Sequence, residues 1–117
     1  MHDTHPLPCY RPQREPQSRW LTVRGLRYHV WEWGDAAGAA NQPLLLMAHG
    51  WADIGASFQF VVDALAAHDP LPRHIVAPDW RGFGLSQDSG SDAYWFPDYL
   101  GDLDALLEAI SPGRPID

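Results

Sequence analysis

The apolar run Pro43-Leu44-Leu45-Leu46-Met47-Ala48 passes straight into His49-Gly50-Trp51. No other feature limits the fold as much. A short apolar run that ends in such a break reads as a buried strand feeding a tight turn. A second unit of the same kind follows, His74-Ile75-Val76-Ala77-Pro78 running into Asp79-Trp80-Arg81-Gly82-Phe83-Gly84-Leu85-Ser86. Two such strands separated by a helical stretch imply parallel pairing with a right-handed crossover. The chain therefore reads as α/β, a hairpin followed by βαβα.

The helical stretch is expected from Ala56 to Ala67, where Phe58, Val61, Val62 and Leu65 share one face. Asp69-Pro70 and Pro72 stop it. A second helix is expected from Pro97 to Ile110, with Pro97 tolerated in its first turn and Asp98 favourable to its dipole. Phe96, Leu100, Leu103, Leu107 and Ile110 form its apolar face, and Asp102, Asp104 and Glu108 its wet side. Upstream, Trp20 to Val23 and Arg27 to Trp33 flank Gly25 and read as the hairpin. Alternation puts Tyr28 and Val30 on one face, and His29, Trp31 and Trp33 on the other. Residues 1–18, with Pro6, Pro8, Pro12 and Pro16, read as an irregular leader. Arg11, Arg14 and Arg19 are taken as solvated. Ser111-Pro112-Gly113 ends the last helix, and Arg114 to Asp117 approaches a further strand.

With 117 residues, the chain holds one small domain. A net charge of −7 argues against a nucleic-acid partner, which needs a basic patch. Cys9 is the sole cysteine, so no intrachain disulfide can form. No signal-peptide core and no run of membrane-spanning length is present, so a cytoplasmic protein that avoids membranes is the expectation. His2, His5, His29, His68 and His74 make no metal-ligand pattern with Cys9. The last three read as surface or half-buried. Gly82-Phe83-Gly84 lacks the third glycine and the lysine of phosphate loops. No cofactor is expected.

The two strand-to-turn units together resemble the front end of an α/β-hydrolase of the esterase, lipase and epoxide-hydrolase group. His49-Gly50-Trp51 is similar to that family's His-Gly-X motif after the third strand. Asp79 to Ser86 is similar to its D-x-R-G-x-G-x-S turn after the fourth. The resemblance covers residues 20 to 117, so residues 19–117 are read as the N-terminal part of a hydrolase domain. It implies a partial sheet ordered 1-2-4-3, with the backbone N–H of Trp51 as the first oxyanion donor. Gly50 would allow close backbone approach, and Gly82 and Gly84 unusual backbone angles. Asp79 and Arg81 would tie loops together; a direct pairing between them is conjecture.

By the same resemblance, the nucleophile, acid and histidine of the parent enzyme would follow in that order beyond Asp117. Ester hydrolysis by a serine is preferred over epoxide or halide chemistry by an aspartate. Ser86 does not qualify, because Gly84-Leu85-Ser86-Gln87-Asp88 lacks the trailing glycine of the nucleophile turn. Ser57, Ser89, Ser91 and Ser111 fail too. The chain alone is thus expected to be inactive, with a small-molecule substrate belonging to the complete enzyme. An unpaired edge along Leu44 to Ala48 would invite self-association. The alternatives are a non-enzymatic α/β binding module and a subunit completed by another chain.

Overall fold

The computed structural model describes residues 8–39, 41–68, 73–91 and 93–117. Strands β1 (Gln17–Val23) and β2 (Leu26–Trp33) form the hairpin. Its two-residue turn has positive φ at both Arg24 (48°) and Gly25 (82°), the combination that matches the natural twist of paired strands. Next come β3 (Leu45–Leu46), a 3₁₀ turn (Gly55–Phe58), α1 (Gln59–His68), β4 (Ile75–Pro78) and α2 (Phe96–Ile110). One sheet results, ordered β1-β2-β4-β3 as the resemblance implied. β2 pairs antiparallel with β4, and β3 parallel with β4. Among the described residues, no helix is long and apolar enough to cross a membrane.

Strand alternation splits the core in two. Tyr28, Val30 and Val76 face one side and pack with Val23, Leu44 and Leu106 of α2. Trp33, Ile75 and Ala77 face the other and pack with Met47 and Val62 of α1. Each helix thus closes one face of the sheet, as crossover connections require. Full burial of one such Val or Leu stabilises by about 1.5–3 kcal/mol.

Several expectations change. The first helix starts later than Ala56, because a 3₁₀ turn occupies Gly55–Phe58. Val62 is buried on it, yet Val61 and Leu65 are exposed and the polar Asp63 is buried. The leader accounts for the burial of Asp63. Residues 10–14 lie against α1, and Asp63 accepts hydrogen bonds from the Tyr10 hydroxyl, the Gln13 and Arg14 N–H groups (3.1 and 3.2 Å) and Gln59 Nε2 (3.0 Å). Arg14 is not solvated either, since its guanidinium donates to the Arg73 carbonyl. Arg19 bonds Glu32 across the hairpin at 3.2 Å. The Asp69-Pro70 and Pro72 stop, and His2 and His5, lie outside the described residues.

Burial pushes the Asp63 carboxyl up, but its hydrogen bonds, led by Tyr10, outweigh this and hold it below the usual carboxylate range. A lowered carboxyl stabilises above its unfolded pKa, and that stability is lost as pH falls through the folded value. Acidification should therefore release residues 10–14 from α1. Amide exchange at Gln13 and Arg14 across an acid titration should show this step, and Asp63→Asn should lack it. An identical acid step in the variant would refute it.

The edge of β3 is not left open along its length. Leu44 and Leu46 donate to the Pro115 and Asp117 carbonyls (both 3.0 Å), and Asp117 N–H donates back to the Leu44 carbonyl at 2.8 Å. Leu44 and Ile116 form a parallel bridge. The unpaired edge that was expected to drive association is thus partly covered, by the approach segment itself. β3 is also shorter than the Leu44 to Ala48 run suggests.

Candidate active site

β3 and β4 lie side by side and parallel, so the turns that follow them emerge at the same end of the sheet. Those turns are the two motifs. Between them, with α2 as the far wall, opens a cleft of about 540 Å³. His49, Gly50 and Trp51 line it from the first turn, Trp80 and Phe83 from the second, and Tyr99, Leu100 and Leu103 from α2. Among the described residues, no charged side chain is in this lining. Trp51 is 70% exposed. Its ring meets Phe83 and Tyr94 edge-on, at 5.3 Å from each.

The turn after β3 contains a backbone outlier. Ala52 has φ of 58°, a left-handed value uncommon outside glycine. Such strain clusters at functional sites. Among the described residues, the Trp51 N–H just before it finds no acceptor. Gly50 lines the cleft, and a Cβ built there meets no protein atom within 4 Å. Gly84 does fit its reading: φ is +53°, and a Cβ there would overlap the Asp79 carboxylate. Gly82 is also left-handed, at +79°.

Asp79 and Arg81 do not pair with each other. Asp79 is 1% exposed and organises the loops from beneath. Its carboxylate accepts from Gly55 N–H (2.8 Å), Leu85 N–H (3.2 Å) and His29 Nδ1 (2.8 Å). Arg81 instead forks onto Asp102 of α2, Nε to Oδ2 at 2.6 Å and NH2 to Oδ1 at 2.5 Å. The Tyr28 hydroxyl donates to the same carboxylate at 2.6 Å and Arg24 adds a bond at 3.2 Å. Asp102 is therefore fully buried, not on a wet side. Its hydrogen bonds raise the Arg81 pKa, while burial and Asp102 raise that of Tyr28. With Asp102 and Leu106 turned to the core, α2 shows Phe96 and Leu100 to solvent at 69% and 52% exposure.

Two histidines thought to be superficial are buried as well. His74 bridges Glu32 (2.6 Å) and Arg114 (3.0 Å). His29 reaches Asp79 through Nδ1 and the Ser18 hydroxyl through Nε2, at 2.9 Å. Ser18, His29 and Asp79 are thus connected like a nucleophile, base and orienting acid. None of the three lines the cleft. His29 sits edge-on between Trp20 and Trp31, with ring centroids at 4.8 and 4.6 Å. Ser86 is also buried, accepting from His29 N–H at 2.8 Å and donating to the Asp79 carbonyl at 2.5 Å. A fluorophosphonate probe should therefore leave the chain unlabelled by mass spectrometry. Adduct at Ser18 or Ser86 would overturn this view of both.

Residues 43–116 match the family model described as the alpha/beta hydrolase fold. Epoxide hydrolase A of Mycobacterium tuberculosis is 30% identical over 102 residues, 86% of this chain and 30% of that protein. The crystal structure of an epoxide hydrolase from Vigna radiata superposes with a TM-score of 0.70 at 28% identity, covering 87% of this chain and 30% of the other. A thioesterase domain from the curacin biosynthetic pathway gives 0.73 at 25% identity, covering 88% and 34%. The chain thus spans about a third or less of the length of each of these proteins. Both motif turns lie inside the matched region, at the same end of a sheet with the expected strand order, and the chain belongs to the α/β-hydrolase fold family.

Proposed function

We propose that residues His49 to Ala52 stabilise the oxyanion of a hydrolytic reaction on an uncharged, apolar small molecule held in the cleft. The observation that carries this reading is the Trp51 N–H, without an acceptor among the described residues, in a turn that lines a cleft of aromatic and aliphatic side chains. Such a lining binds apolar substrate and leaves orientation to a few polar groups. The nucleophile, acid and histidine come from residues outside these 117. Asp79, Asp102 and Asp53 do not fill those roles. The first two are buried in structural networks, and Asp53 accepts from Ser57 and Ile54.

Epoxide hydrolysis is the favoured reaction, replacing the ester hydrolysis preferred from sequence. Its support is the likeness to epoxide hydrolases along 86–87% of the chain. A carboxylate nucleophile would open the ring by forming a C–O bond to one carbon, and the released alkoxide would take a proton. The resulting ester would then be hydrolysed through a tetrahedral oxyanion, the species the Trp51 N–H would stabilise. The second reading, ester or thioester hydrolysis by a serine, is supported by the likeness to the thioesterase domain. Turnover of styrene oxide, glycidyl phosphate and p-nitrophenyl butyrate by the complete enzyme separates the possibilities. Diol from styrene oxide with little from the phosphate is expected. Turnover of the butyrate alone would favour the second reading, and equal use of both epoxides would refute the apolar cleft.

A further inference from the structure

Both ring nitrogens of His49 are engaged, and their partners fix where the proton lies. The Trp80 backbone N–H meets Nε2 at 3.1 Å. A peptide N–H can only donate, so Nε2 keeps its lone pair. Nδ1 lies 2.8 Å from the Gly50 carbonyl oxygen, which can only accept. Nδ1 therefore carries the hydrogen. The ring is buried, 6% exposed, and the His49 carbonyl accepts from the Trp80 indole N–H at 3.0 Å. The two motif turns are bolted together at this residue.

The Gly50 carbonyl and the Trp51 N–H belong to one trans peptide unit, and such a unit is rigid and planar. A hydrogen bond that fixes the carbonyl edge fixes the direction of the N–H on the opposite edge. It also polarises the amide, which makes that N–H a stronger donor. We propose that His49 is a positioning residue, a neutral imidazole locked in the Nδ1–H form that aims the Trp51 N–H through the Gly50 carbonyl. The hydrogen-bond chain runs from Trp80 N–H through the ring to the Gly50–Trp51 peptide, whose two residues line the cleft. His49 is consequently not a proton carrier, since neither nitrogen is free to exchange with a substrate. The catalytic meaning of this chain rests on the oxyanion reading of Trp51; its existence does not.

Long-range ¹H–¹⁵N spectra of the full chain read the tautomer directly, without any substitution. Nε2 should resonate as an unprotonated nitrogen and Nδ1 as a protonated one. Protonation at Nε2 in the neutral ring would overturn the proposal. Two variants then separate the links. His49→Gln puts an amide oxygen near the place of Nε2 and loses the donor to Gly50. His49→Asn keeps a donor near Nδ1 and loses the acceptor for Trp80. Trp80 amide exchange should accelerate about tenfold in the Asn variant and stay near wild type in the Gln variant. The Trp51 amide proton should shift in the Gln variant and hold in the Asn variant. If both amides moved together in both variants, His49 would be only a packing residue. A correct tautomer combined with full activity of a Trp51→Pro enzyme would leave positioning intact and refute the oxyanion role instead.

Discussion

Asp102→Ala lowers the free energy of unfolding by about 3–5 kcal/mol, whereas Asp104→Ala changes it by no more than about 0.5 kcal/mol. The two carboxylates stand two residues apart on α2 and look equivalent in the sequence. They differ in what they meet. Asp102 accepts from Arg81 twice, from Tyr28 and from Arg24, with none of its surface exposed. Removing it leaves the Arg81 guanidinium, largely buried, without its main counter-charge, and leaves the Tyr28 hydroxyl without its acceptor. The Tyr28 loss costs the desolvation of a hydroxyl that water cannot reach, and the Arg81 loss part of that for a largely buried cation. The penalty also falls on the site, because Arg81 belongs to the turn after β4, and Tyr28 Oη accepts the Arg81 N–H at 2.9 Å. Urea unfolding of the two variants side by side checks this. Equal midpoints would mean that Asp102 is no more than a tolerated polar residue.

Trp51→Pro should reduce turnover of the complete enzyme by about 10²–10³-fold, the scale of losing one oxyanion donor. Proline removes the N–H while leaving the carbonyl. The comparison is Trp51→Phe, which keeps the N–H and an aromatic ring against Phe83 and Tyr94, and should retain much of the rate. Because the side chain is mostly exposed, neither change opens a core cavity. Thermal unfolding of both variants must match before rates are compared. Equal losses from Pro and Phe at matched stability would assign the effect to the ring, and the backbone role would have to be abandoned.

The architecture was legible because it depends on patterns that sequence displays. The apolar runs at 43–48 and 74–78 marked the two parallel strands, and glycines at 82 and 84 marked a turn with left-handed angles. Alternation along Tyr28, Val30 and Trp33 placed those residues on opposite faces correctly. What sequence missed was the fate of polar side chains. His29, Asp63 and Asp102 are all buried, because each finds partners far along the chain, such as Tyr28 for Asp102 and Tyr10 for Asp63. Periodicity assigns such residues to the solvent side by type and carries no information on distant partners. The apolar stripe of α2 was misassigned for the same reason. Once Asp102 and Leu106 point inward, Leu100 and Leu103 are left to wall the cleft. Two Asp residues at i and i+2 gave no signal, but an arginine within a motif turn and a tyrosine on a buried strand face could have prompted a search for a buried carboxylate.

The short ladder on the far side of β3 bears on the order in which this molecule assembles. β3 carries the Trp51 turn, and its outer partners are residues 115–117. The neighbouring bond from Arg114 to the Gln42 carbonyl joins groups 72 residues apart. Closing so long a loop costs chain entropy before any contact rewards it, whereas the hairpin closes locally. The hairpin can therefore form early, and the strand beneath the site gains its second neighbour late. By the same logic it is among the first elements to open in native-state fluctuations. The turn that carries the Trp51 N–H thus rests on a strand whose outer pairing forms late, and its geometry reports whether residues 115–117 have docked.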